Sequence, residues 1–135
     1  MTFVLDASAV VRALAYDEPA LAERADDLLV RAFTGSAVVP GHWHVEVVQA
    51  AAGGVRSGRW SPEWARGMIA TARALEVAVI ADAEDAARLF DDALAWDLTA
   101  QDAAYLRLAR DLGLPLATAD AALRRAAERI GVACL

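Results

Sequence analysis

The stretch Met1-Thr2-Phe3-Val4-Leu5-Asp6-Ala7-Ser8-Ala9-Val10-Val11 decides how the rest of the chain is read. Phe3-Val4-Leu5 has no polar alternation, the pattern of a strand buried on both faces. It ends at an acid, Asp6, and a helical pattern follows from about Ser8 to Tyr16. An acid inside the apolar run, with Arg12 only beyond it, is not the charge order of a signal peptide.

The same alternation of short apolar run and longer helical pattern continues. Pro19 suits the first turn of a helix reaching about Phe33, where Thr34-Gly35 stops it. Ala37-Val38-Val39 reads as a strand closed by Pro40-Gly41, and a helix from about His42 to Ala52 ends at Gly53-Gly54. Ser61-Pro62-Glu63 opens a helix to about Leu75. Val77 to Ile80 is a third strand, and helices follow at 83–95 and 100–112. Leu114 to Thr118 is a fourth strand, 121–129 a helix, and Val132-Ala133-Cys134 a candidate fifth strand. Unalternating strands separated by helices predict a mostly parallel sheet with helices on both faces, in one α/β domain spanning 1–135.

Composition narrows the function. The 135 residues are 58% apolar, enough for a core and against a disordered chain. No run of about 18 apolar residues occurs, so no membrane span is expected. The lone Cys134 suits a reducing cytoplasm. The net charge of −6 argues against nonspecific nucleic-acid binding. It is uneven, however: residues 82–102 hold seven acids against Arg88, whereas 47–75 hold Arg56, Arg59, Arg66 and Arg73 against Glu63. Either run can be a solvated helix face. The four tryptophans are expected to supply much of the burial of large side chains among 34 alanines.

In an open parallel sheet, ligands bind beyond the carboxyl ends of the strands. Asp6 and Ser8 follow strand one, and Thr118 and Asp120 follow strand four, so neighbouring strands would bring them to one edge. Glu46 interrupts Trp43-His44-Val45-Glu46-Val47-Val48, and Asp102 extends the apolar stripe of Tyr105, Leu108, Ala109 and Leu112. Each acid also has a local role open to it. Asp102 completes a capping box with Thr99, Asp120 caps the last helix, Ser8 caps the first, and Glu46 can turn to water. Four acids on one edge would repel unless cations bound there.

Several chemistries are excluded. The chain has no lysine, which a phosphoryl-transfer receiver domain needs. Ser8 stands where a haloacid-dehalogenase-like hydrolase has its second aspartate. His42 and His44 lack further zinc ligands, and no phosphate-cradling Gly-x-x-x-x-Gly-Lys loop occurs.

Five pieces in order carry a family resemblance: Val4-Leu5-Asp6-Ala7-Ser8; Val39-Pro40 with Trp43 and Glu46-Val47; Arg56-Ser57-Gly58-Arg59-Trp60; Leu98-Thr99-Ala100-Gln101-Asp102-Ala103-Ala104-Tyr105-Leu106; and Leu116-Ala117-Thr118-Ala119-Asp120. Together they span 4–120, and the sequence resembles the PIN-domain ribonucleases, in particular VapC-type toxins of prokaryotic toxin–antitoxin pairs. The resemblance implies a three-layer sandwich with a central sheet of four to five strands and about seven helices. It implies an acidic pocket of Asp6, Glu46, Asp102 and Asp120, catalytic and binding Mg²⁺ or Mn²⁺, with Asp6 and Asp102 the most direct ligands. Ser8 and Thr118 would orient the carboxylates or a water, and Arg56 and Arg59 are candidate contacts for RNA or antitoxin. The implied reaction is hydrolysis of an RNA phosphodiester by metal-activated water, and the implied partners are a VapB-like antitoxin and a second copy in a homodimer. One departure stands out: Ala121-Ala122 follows Asp120 where the family often has a basic residue, with Arg124-Arg125 further on. A PIN-like module that binds RNA or protein without cutting is the alternative.

Overall fold

The computed structural model describes residues 1–15, 27–81 and 85–135. Strand β1 (Phe3–Leu5) is followed by α1 (Ala7–Leu14), and residues 27–33 are helical (α2). Then come β2 (Ala37–Pro40), α3 (Trp43–Arg56), α4 (Pro62–Ala74), β3 (Val77–Ile80), α5 (Ala86–Trp96), α6 (Ala100–Leu112), β4 (Leu116–Ala117) and α7 (Ala121–Arg129). The strands form one sheet in the order β3-β2-β1-β4, every pair parallel. The predicted α/β class is therefore observed, and the sheet expected to be mostly parallel is parallel at every pair. Among the described residues no helix is long and apolar enough to cross a membrane.

β1 lies inside the sheet, and its three residues have no exposed surface, so both faces are covered there. Leu5 pairs with Ala117, which brings the chain after β1 beside the chain after β4. At the far edge β3 is less covered, and Val79 is half-exposed.

Local sequence explains the helix ends. Ser61 Oγ accepts from Trp64 N–H with Pro62 at the first helical position, as read from the sequence. Thr99 Oγ1 accepts from Asp102 N–H, and Gly113 in the left-handed region (φ +66) closes α6. Asp85 starts α5 at Ala86, while the start expected at 83 and the segment from Tyr16 through Pro19 lie outside the described residues.

Five expectations are corrected. α3 does not stop at Gly53-Gly54 but runs to Arg56, because Gly54 serves a close approach: a Cβ there would lie 2.0 Å from Cε3 of Trp60. The fourth strand shrinks to Leu116–Ala117, since Thr118 turns its hydroxyl into the site described below. The fifth strand is a single parallel bridge, Leu116 to Cys134, so the sheet has four strands. On α6 residues 103–109 are all buried, whereas Leu112 at the end of the expected stripe is exposed. Of the tryptophans only Trp43 and Trp96 are buried; Trp60 is half-buried and Trp64 is 38% exposed.

Gly53 and Gly54 therefore separate in a mutational test. Gly54→Ala should destabilise the protein by roughly 1–3 kcal/mol, because the new methyl must displace the Trp60 ring. Gly53→Ala meets nothing within 4 Å and should stabilise by about 0.5–1 kcal/mol through helix propensity. Denaturant unfolding of both variants measures the contrast.

Candidate active site

Asp6 follows β1 and is only 3% exposed. Its Oδ2 accepts from the hydroxyls of Ser8 and Thr118, each at 2.6 Å, and its Oδ1 accepts from Ser8 N–H at 3.3 Å. Both hydroxyl protons are then committed to Asp6, leaving the oxygens to accept. Ser8 Oγ accepts from Ala119 N–H at 3.1 Å, and Thr118 Oγ1 accepts from Asp120 N–H at 3.0 Å. The 3.4 Å approach of the two hydroxyl oxygens is a contact rather than a further bond. Asp6 thus caps α1 and also ties the end of β1 to the loop after β4.

Asp120 caps α7, its Oδ1 accepting from Leu123 N–H at 2.9 Å. Arg124, one turn into that helix, donates to the carbonyl oxygens of Thr118 (2.9 Å) and Leu135 (3.2 Å). The basic residue missing directly after Asp120 thus has a counterpart here, which braces the loop's backbone.

Glu46 lies in the first turn of α3. Its Oε2 accepts from the Tyr105 hydroxyl at 2.8 Å, and that hydroxyl accepts from Ala7 N–H at 3.4 Å. His42 Nε2 stands 3.3 Å from Glu46 Oε1, a charge-pair distance without hydrogen-bond alignment, and the His42 ring meets Tyr105 edge-on. Tyr105 is fully buried. Burial first, then the charges of Glu46 and Asp6, push its phenol well above the ordinary range, so it remains a donor to Glu46. Tyr105 sits three residues after Asp102 on α6 and so links three acid-bearing segments.

All four acids line one cleft of about 700 Å³ beyond the carboxyl ends of β1 and β4, together with Ser8 and Thr99. The cleft also contains Arg12 of α1, Gln49 of α3, Arg59 and Gln101 of α6, whereas Arg56 is not among its lining residues. Arg12, Gln49, Gln101 and the Tyr105 hydroxyl escaped the sequence reading. Helical spacing was the available signal: Arg12 follows Ser8 by four residues, Gln49 follows Glu46 by three, and Tyr105 follows Asp102 by three.

The acids feel one another. Asp102 is pushed up to about 6, by burial first and then by the charges of Asp120, Asp6 and Glu46. Burial raises Asp6 as well, outweighing its three hydrogen bonds, with Glu46 adding to the rise. The oxygen-only donor set suits a hard divalent cation, which commonly takes one or two carboxylates and keeps several waters. No ready-made cage of three His, Cys, Asp or Glu side chains stands among the described residues.

A family model described as PIN domain matches residues 3–129. Among solved structures the chain is similar to that titled "Crystal structure of PAE2754 from Pyrobaculum aerophilum", with a TM-score of 0.69 and 24% identity over 93% of this chain and 86% of that one. At that identity the likeness speaks for the fold. No curated protein matches the sequence.

Two variants test the electrostatics. The raised Asp102 pKa means the folded state holds that proton more tightly than the unfolded chain, so the associated stability is present below about pH 4 and lost as pH rises through about 6. Asp102→Asn should therefore stabilise the ion-free protein above about pH 7, by on the order of 1 kcal/mol for a half-buried, solvent-screened group, with the gain vanishing in acid. Tyr105→Phe strips one donor from Glu46 and one acceptor from Ala7 N–H and should cost roughly 1–2 kcal/mol. Thermal unfolding across pH in a chelating buffer reads both.

Proposed function

The chain belongs to the PIN-domain family, whose members are generally nucleases, and from that premise we propose that it is a Mg²⁺- or Mn²⁺-dependent endoribonuclease acting as the toxin of a toxin–antitoxin pair. The observation that carries this reading is the convergence of Asp6, Glu46, Asp102 and Asp120 on one cleft, where burial first and then repulsion by the other three acids push Asp102 up to about 6. A divalent cation offsets that repulsion, which gives the cleft an intrinsic affinity for one.

Asp6 and Asp102 would be the principal ligands, with Glu46 and Asp120 completing the negative surround. When bound, the ion supplies an acidified water and positive charge for the phosphate under attack. The protein's own groups do the positioning. Ser8 and Thr118 fix the Asp6 carboxylate through Oδ2, leaving one acceptor site on Oδ1 for an ion in the cleft that Asp6 lines. Tyr105 fixes Glu46, and Arg12 and Arg59 lend positive charge to the cleft for the flanking phosphates. The toxin role, with a VapB-like antitoxin and a homodimeric state, rests on the ordered motifs of residues 4–120.

Purified wild type should cut RNA with Mn²⁺ or Mg²⁺, leaving 5′-phosphate ends. Asp6→Asn and Asp102→Asn should each lose about 100-fold or more in rate. Mn²⁺ should raise the unfolding midpoint of wild type but not of these variants, and Tyr105→Phe should weaken Mn²⁺ binding roughly tenfold. A wild type that does not cut, or variants that cut equally well, would return the chain to the non-cutting binding module. For the toxin role, induced wild type should arrest growth where Asp6→Asn does not.

A further inference from the structure

The turn after α3 carries a feature that the acids do not explain. Arg59 lines the acid cleft, and its guanidinium lies over the Trp60 ring, 4.9 Å from the centroid. Trp60 in turn stacks on Trp64 with centroids 4.6 Å apart and planes tilted by 35°. Arg59 and Trp64 thus both stack on the Trp60 ring, and the group joins the lining of the cleft to a ring that is 38% exposed.

The inner part of this stack is held rigidly. The N–H groups of Arg59 and Trp60 both donate to Gly54 O, at 2.9 and 3.1 Å. The Trp60 ring occupies the space that a side chain at Gly54 would need, and it packs on the small cluster of Ala51, Ala65 and Met68. Trp64 sits in the first turn of α4, its N–H held by the Ser61 cap. A rigid aromatic face loses little entropy when a flat ring is laid on it. The surrounding segment 47–75 is the positively charged part of an acidic chain, which selects an anionic ligand.

We infer that Arg59, Trp60 and Trp64 form a stacking platform for single-stranded RNA beside the cleft, with Trp64 receiving a nucleobase and Arg59 facing the backbone. The inference rests on the ribonuclease reading and names a subsite for its substrate. Stacking accepts every base because each has a π-face, and it requires an unpaired strand. The platform therefore favours single strands over duplex without encoding a sequence.

The test measures binding of single-stranded oligouridine of about a dozen nucleotides, within the range of known single-strand sites, to protein carrying Asp102→Asn so that the strand is held uncut in Mg²⁺. Adding Trp64→Ala should weaken binding roughly 5- to 10-fold, the lower part of the range for one stacked base. Trp64→Phe, which keeps an aromatic face, should restore most of the affinity. Arg59→Gln should lower the salt dependence of binding by about 0.7 in the log–log slope, as for one phosphate contact on a single strand. Duplex RNA should be insensitive to Trp64→Ala. If Trp64→Ala binds the single strand as well as its parent, or if Trp64→Phe is no better than alanine, the platform is overturned and the surface is left to a protein partner. If the parent binds no RNA and wild type cuts none, the ribonuclease reading fails first, and the two failures are told apart.

Discussion

Asp6 follows a strand with no exposed surface, and its carboxylate accepts two hydroxyl protons at 2.6 Å in a site almost closed to water. Burying an anion there is costly, and burial outweighs the hydrogen bonds, as the raised pKa records. Offsetting that cost requires Ser8 at the start of α1 and Thr118 at the end of β4, so the loop after β4 has little freedom. Thr118 then receives Asp120 N–H, and Asp120 caps α7. The position of the fourth acid is thus inherited from the first through two hydrogen bonds.

A parallel sheet makes the same edge serve every helix that starts there. Asp6 and Asp120 are N-caps, and Asp102 and Glu46 lie in the first turns of α6 and α3. The amide dipoles at those termini favour negative charge by a few tenths of a kcal/mol to about 1 kcal/mol each. Burial and the neighbouring acids nonetheless raise Asp102, so its charge is not fully offset by that support. Asp120 caps α7 as expected, and Asp6 rather than Ser8 caps α1, yet both acids line the cleft: a carboxylate can accept an amide proton on one side and face the cleft on the other.

Periodicity and end signals made the element order readable, because strand β1 lacks alternation and Ser61-Pro62, Thr99 and Gly113 mark helix ends through local chemistry. The meeting of Asp6 with Asp120 followed from the parallel pairing of β1 with β4. What escaped depends on contacts distant in sequence. Gly53-Gly54 looks like a stop until Trp60 is seen against Gly54. Tyr105 looks like another apolar residue of its helix, and only its bond to Glu46, 59 positions away, shows what its hydroxyl does. Arg12 and Gln49 face the cleft through helical phase, which matters only once the adjoining residues are known to belong to a site. β4 is short for a similar reason, since Thr118 is drawn toward Asp6 rather than along the strand.

The acidic balance and the missing lysine also take on physical meaning. Part of the negative run is tied up locally: Asp85 caps α5, and Asp92 is held by Arg110, which also pairs with Asp111 beyond the run and whose guanidinium lies over the buried Trp96 at 5.0 Å. Arg59 stacks on Trp60 in the same manner at the edge of the cleft. A lysine could supply the charge in either place, but its compact, strongly hydrated ammonium has no planar face and would hold water that the indole cannot replace. In a chain of which a quarter is alanine, large flat surfaces are scarce, and the arginine–tryptophan stacks provide them. Arg59, a cation that lines the acid cleft, is therefore also part of an aromatic surface, so charge and stacking meet at one rim of the cleft.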